Sequence, residues 1–298
     1  MVGMDMPIQT EIPNVVSAKG PVSSNQIGAL LIDAGSILPQ DAERILRYAK
    51  EKRLRFGDAA IALKLVTREE IDRMVAFQFD YPYLMRGESA VSAEVVAAYL
   101  PFSRQVEAFR ALRSQLLLRW FGDNVERRGL SVLSQDRGDG RSYLSANLAV
   151  VFSQLGERTL LVDSDMRYPR QHEIFGLSNS VGFSTLLAGR AGPEAIHRVP
   201  SFVSLSVLPA GPLPPNPQEL LNRPIFSQLL EHWRTQFDVI LFDTCATSAG
   251  ADAQLIAAKV KGALVVTKTH KSKVSELRTL CEDLVSSGVS LVGAVVSQ

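Results

Sequence analysis

Between residues 130 and 296 the chain alternates six short apolar runs with segments of helical periodicity, and this restricts the fold more than any other feature. The runs are 130–133, 159–162, 204–208, 239–242, 263–266 and 291–296. They are rich in Val, Leu and Ile, bounded by Gly, Asp or Pro, and apolar on both faces. Strands of that kind must be covered on both sides, which predicts an α/β domain with a doubly wound, mostly parallel sheet between two layers of helices.

The first run leads into Ser134-Gln-Asp-Arg137-Gly138-Asp139-Gly140-Arg141-Ser142-Tyr143, and a helical pattern opens directly after it. A strand, a glycine loop and a helix in that order are what a phosphate loop needs. The glycines let backbone N–H groups approach phosphate oxygens, and the helix start adds a favourable dipole. Ser142 presents a hydroxyl suited to magnesium. Arg141 stands where such loops carry the lysine that reaches the outer phosphates, so the loop predicts nucleotide binding and leaves catalytic competence open.

Two more strand ends carry carboxylates: Asp163 and Asp165 after the second run, and Asp243 after the fourth. A glycine loop alone is most often a turn, and one Asp ending a strand is usually a cap or turn former. Three such features in order on one α/β pattern are a different matter, because open sheets bind ligands at the carboxyl ends of their strands. Magnesium on nucleotide phosphates takes one hydroxyl and one or two carboxylates, directly or through water. Ser142, Asp163 and Asp243 are the candidates.

The remaining chain reads as four parts. Residues 1–25 form a leader with little hydrophobic periodicity, 26–84 a small helical domain, 85–103 a connection, and 104–298 the α/β domain. The small domain contains a weak repeat of two helix pairs, with Thr67 and Glu70 as a capping box. Over 104–120, Val106, Phe109, Leu112, Leu116 and Trp120 follow helical spacing. A net charge of +1 and 7% aromatic residues give no basis for nucleic-acid binding. Cys245 and Cys281 are too few for a disulfide framework, which fits a reducing cytoplasm. No stretch approaches the roughly 18–20 apolar residues of a membrane span, and the first ten residues lack a secretion signal, so any work at a membrane requires a partner.

From about residue 105 onward the chain resembles the cytoplasmic domain of bacterial tyrosine kinases, a branch of the MinD/ParA-like P-loop NTPases. The resemblance rests on Ser134–Tyr143 as a modified Walker A motif, Leu160–Arg167 as Walker A′ and Val239–Thr244 as Walker B. It also rests on the proline-rich segment 208–221 and on Glu107, Arg110 and Arg113, which fit the family's Glu-x-x-Arg-x-x-Arg assembly helix. It implies an ATP- and Mg2+-dependent protein-tyrosine autokinase regulating exopolysaccharide synthesis and chain length. The implied partners are further copies of the chain and a Wzz-like membrane chain-length determinant that brings it to the inner face of the cell membrane. Arg137, Gly138, Asp139, Gly140, Arg141, Ser142 and Tyr143 would bind the nucleotide. Asp163 would be the base toward a tyrosine hydroxyl and a metal-sphere ligand, Asp165 would support the site geometry, Arg141 would face the transferring phosphate, and Asp243 would hold magnesium or its water. Arg167 would face phosphate, pin Asp165, or form a structural ion pair.

Several positions depart from the family pattern. Arg141 keeps the charge but is planar and larger than lysine, so forked contacts replace a point contact. Tyr143 stands where threonine is common, Cys245-Ala246 replaces prolines, and Ser297 takes the place of a base-contacting asparagine. Relatives carry a tyrosine-rich tail, whereas the last tyrosine here is Tyr168. Substrate tyrosines then lie on a partner, or Tyr143 and Tyr168 serve, or the protein is a catalytically weak nucleotide-dependent switch or scaffold. A MinD/ParA-like positioning ATPase is the third reading. With Ile27-Gly28, Leu31, Gly35 and Leu46 in the first repeat and Arg55-Phe56-Gly57, Ile71, Val75 and Gln78 in the second, residues 26–84 resemble the N-terminal domain of type II secretion ATPases, which implies a protein-docking module, with cyclic di-GMP as an alternative ligand.

Overall fold

The computed structural model describes residues 26–78, 82–84, 87, 89–122 and 124–297. The leader expected over 1–25 lies outside them. The chain divides into two units between residues 80 and 81.

The smaller unit consists of α1 (Gln26–Asp33), α2 (Pro39–Lys52), α3 (Phe56–Ala62) and α4 (Arg68–Gln78). These are the two expected helix pairs. The capping box is present: Thr67 N donates to Glu70 Oε2 at 2.7 Å and Glu70 N to Thr67 Oγ1 at 3.2 Å. Leu31, Ile45, Ala59, Ala60, Ile71 and Met74 form a core of the unit's own.

The larger unit begins with α5 (Val96–Tyr99) and α6 (Arg104–Arg119). Then follow β1 (Gly129–Leu133), α7 (Arg141–Gln154), β2 (Thr159–Asp163), α8 (Gln171–Phe175), α9 (Phe183–Leu187), β3 (His197–Arg198) and β4 (Leu205–Leu208). The chain continues through α10 (Pro217–Asn222), α11 (Pro224–Gln236), β5 (Val239–Asp243), α12 (Asp252–Val260), β6 (Gly262–Lys268), α13 (Val274–Ser286) and β7 (Ser290–Ser297). All six predicted strands are present. The seven-stranded sheet has the order β3-β4-β2-β5-β1-β6-β7, parallel except for β3. The pattern missed β3 because it is two polar residues paired antiparallel to β4.

Alternation along the buried strands sends side chains to two helical layers. Leu130, Val132, Leu161, Leu241 and Leu264 pack with α5, α6 and α7. Leu160, Val162, Ile240 and Phe242 pack with α9, α11 and α12, where Phe183, Phe226, Trp233 and Phe242 meet edge to face or tilted. Helix α7 is buried along most of its length, its apolar stretch Leu148–Phe152 completely.

The segment 85–103, expected as a connection, contributes to this core instead. Val91, Val95, Ala97 and Ala98 are buried against the α7 layer. Two polar residues of α7 take up its backbone groups: Asn147 Oδ1 accepts from Ala97 N at 2.9 Å, and Gln154 Nε2 donates to Ala97 O at 3.0 Å. Small apolar residues without a clear period gave no sequence signal for this packing.

Strand β5 lies between β1 and β2, so the carboxyl ends of three neighbouring strands share one crevice. Asp163 ending β2 is in register with Asp243 ending β5, and the glycine loop leaves β1 beside them.

Candidate active site

The glycine loop connects β1 to α7 with Gly138 and Gly140 at φ 79° and 99°, in the left-handed region open to residues without a Cβ. Asp139, expected among the nucleotide contacts, is a brace. Its side chain is fully buried, accepts from Asp136 N at 3.1 Å and pairs with Lys271 Nζ at 2.8 Å. Lys271 also donates to Arg137 O. Ser297 Oγ, in the strand beyond, donates to Asp139 O at 2.9 Å. The loop is thus held from the β6 and β7 side by contacts to its carbonyls and one carboxylate.

Arg141 is buried, and its guanidinium binds the protein's own backbone. Its Nε donates to Thr244 O at 2.8 Å, and Nη1 donates to Asp136 O at 2.8 Å and to Ser134 Oγ. Its Nη2 lies 3.9 Å from Asp165 Oδ2. The fork expected to reach phosphate therefore fastens the two ends of the loop to the end of β5.

The three carboxylates are buried together. Asp163 Oδ2 accepts from the backbone N–H groups of Arg170 and Gln171 at 2.9 and 2.8 Å. Asp243 Oδ2 accepts from Gln171 Nε2 at 2.8 Å. Asp163 Oδ1, Asp243 Oδ1 and Gln171 Oε1 are buried and have no hydrogen-bond donor. Burial, followed by the charge of Asp243, pushes Asp163 well above the usual carboxylate range. Burial raises Asp243 to about 6, opposed by the charge of Arg141 and by the nearby Gln171 and Ser142 side chains. Donorless carboxylate oxygens in a buried pocket, with a hydroxyl close by, are a donor set suited to a hard cation. Among the described residues, no group of three or more His, Cys, Asp or Glu is placed to hold a metal alone, so phosphate oxygens or water would have to complete the coordination.

Asp165 Oδ1 accepts from Arg167 N and Tyr168 N at 3.2 and 2.9 Å. It lines an open cleft of about 500 Å³ with Gly138, Gly140, Arg141, Ser142 and Tyr168. Asp163 lies deeper and is not part of the cleft wall. Arg137 stacks on the Tyr168 ring, its guanidinium carbon 3.6 Å from the centroid. Of the three roles open to Arg167, the structure selects the ion pair: Nε and Nη2 reach the two oxygens of buried Asp252 at 2.6 and 3.2 Å. Cys245 is buried and its thiol is pushed up to about 12, first by desolvation, so it is no nucleophile.

Tyr143 OH accepts from Gln105 Nε2 at 2.7 Å, and its ring meets Phe109 at 5.9 Å, which joins the first turn of α7 to α6. On α6, Glu107 pairs with Arg110, and Arg113 Nη1 donates to Val151 O at 2.7 Å. Arg113 thereby anchors α6 on α7. Sequence reasoning missed Gln171, Lys271 and Asp252. The only available signals were a polar residue opening the short helix α8, a basic turn after β6, and an acidic residue opening α12. No helix among the described residues is long and apolar enough to cross a membrane.

No family profile matches the chain. The putative tyrosine-protein kinase CapB of Staphylococcus aureus is 34% identical over 198 residues, covering 66% of this chain and 86% of CapB. The kinase domain of the Escherichia coli tyrosine kinase ETK superposes with a TM-score of 0.65 at 30% identity, over 68% of this chain and 79% of that domain. The cell-division ATPase MinD of Pyrococcus furiosus has a related fold, with a TM-score of 0.50 at 26% identity over 57% of this chain and 71% of MinD.

Proposed function

Because this chain belongs to the bacterial tyrosine-kinase family, we propose that it is a protein-tyrosine kinase that transfers the γ-phosphate of magnesium-bound ATP and regulates exopolysaccharide synthesis and chain length. The observation that carries this reading is the buried pair Asp163 and Asp243, whose donorless oxygens lie in register beside a phosphate loop.

Ser142, Asp163 and Asp243 would hold magnesium, which when bound neutralises charge on the phosphates. The chain's own groups do the rest by positioning, the main resource in phosphoryl transfer. The loop N–H groups from Arg137 to Tyr143 would bind phosphate oxygens. Asp163 would take the proton of a tyrosine hydroxyl. Asp165, on the cleft wall, would orient that hydroxyl. Glu107 and Arg110 on α6 would meet further copies of the chain, and a membrane-embedded chain-length determinant would bring the assembly to the inner membrane face. One observation favours a second reading, a nucleotide-dependent switch with weak transfer: the Arg141 charge is already engaged by Thr244 O and Asp136 O.

The deciding experiment incubates the protein with γ-labelled ATP and Mg2+, with and without a membrane chain-length determinant. Label on tyrosine that disappears in Asp163→Asn is the expected result. Tight ATP binding with neither label nor hydrolysis would sink the kinase reading and leave the switch.

A further inference from the structure

Gln171 touches every element of the cation pocket. It is fully buried at the head of α8. Its backbone N–H holds Asp163 Oδ2 at 2.8 Å, while its side-chain Nε2 donates to Asp243 Oδ2 at 2.8 Å and to Ser142 O at 3.1 Å. The residues proposed to hold the metal, on β2, β5 and α7, are thus tied together through one side chain and its own peptide.

The amide orientation follows from these partners. Both groups facing Nε2 are acceptors, and a flipped amide would set Oε1 against two oxygens. With both Nε2 hydrogens committed, Gln171 retains only acceptor capacity, and Oε1 is buried without a donor. The same is true of Asp163 Oδ1 and Asp243 Oδ1. Three donorless oxygens on residues joined through Gln171 leave a large desolvation cost unmet unless a cation or water is present, and three acceptors converging with no donor favour a cation.

On the premise that the cleft binds nucleotide with magnesium, we propose that Gln171 is a positioning residue for the metal. Its Nε2 fixes the Asp243 carboxylate so that Oδ1 faces the cation, and its Oε1 accepts from water in the cation's sphere. Residues that orient metal ligands in this way typically change metal affinity about 10- to 100-fold when removed. Gln171 needs no contact with the nucleotide itself, so its contribution depends on the metal.

The test titrates a fluorescent ADP analogue into the whole chain in Mg2+ and again in EDTA. Wild type, Gln171→Met and the near-isosteric Gln171→Glu are compared, each first checked for a cooperative melt. The expected result is a loss of about tenfold or more in both variants in Mg2+, with affinities in EDTA within about twofold of wild type. An equal loss in both conditions assigns Gln171 to loop architecture and overturns the proposal, as does unchanged affinity in Mg2+. Gln171→Glu keeps the shape but replaces the donor, so a cooperative Gln171→Glu that binds like wild type overturns it even if Gln171→Met does not fold. Wild-type protein that binds no nucleotide in either buffer overturns the parent reading as well, and the two failures are thereby distinguished.

Discussion

Arg141→Lys is the most informative single change, because it should move rate and stability in opposite directions. By family pattern, lysine restores the usual phosphate contact. In the structure, Arg141 spans Thr244 O, Asp136 O and Ser134 Oγ, a fork that one ammonium nitrogen cannot reproduce. At least the Thr244 contact is lost, leaving a buried carbonyl without a donor. A lost hydrogen bond to a charged group, together with the stranded carbonyl, costs about 2–3 kcal/mol. With an m-value of about 2–3 kcal/mol per M, the urea midpoint falls by about 1 M. Trp120 and Trp233 are the only tryptophans and both are buried in the larger unit, so their fluorescence follows that unit alone. The displaced charge would also be free to follow the transferring phosphoryl group, and the rate of labelling should rise while stability drops. A variant within about 0.5 kcal/mol of wild type would refute the fork as a structural fastening.

Two further changes probe the surroundings. Burial is the first cause raising Asp243 to about 6 and also raises Asp163, above the unfolded value of about 3.9. The folded chain therefore binds more protons than the unfolded chain between those values, so this contribution is full below about pH 4 and is lost as pH rises through about 6. Urea midpoints in EDTA at pH 5 and 7.5 should show wild type losing stability relative to Asp243→Asn across that window; a relative gain contradicts the sign. In Gly262→Ala the new Cβ would sit 2.3 Å from Trp120 Cζ2, on a ring held by a 2.8 Å bond from Nε1 to Gly129 O. Overpacking of this kind costs about 1–3 kcal/mol, and an unchanged melting temperature and Trp emission would show that the ring moves freely.

What could be read from the sequence was whatever depends on local order. The strands were visible because each is apolar over a short run, and the three acidic or glycine-rich strand ends because each directly follows its strand. The two-residue β3 and the packed stretch around Val95 and Ala98 lack a period of their own and depend on partners far along the chain. The same limit governed the site. That Arg141 is cationic is written in the sequence; that its charge turns inward is decided by Thr244 O, 103 positions away. Gln171 was silent for that reason, since its meaning lies in Ser142 and Asp243, which only the strand order β2-β5-β1 brings beside it.

The strand order also separates binding from rate. Because β5 lies between β1 and β2, the residue after its carboxylate, Thr244, sits where it can fasten the loop through Arg141. Lys271 and Ser297 fasten the other side through Asp139. A loop braced from both sides has little conformational entropy left to lose, which favours phosphate binding by its N–H groups. Transfer asks for something else, positive charge that is stronger on the transition state than on bound ATP. A guanidinium committed to three protein acceptors cannot follow the departing phosphoryl group without breaking them. The arginine thus adds rigidity at the expense of that adaptable charge, and an increase in rate without tighter binding in Arg141→Lys is the kinetic signature this architecture requires.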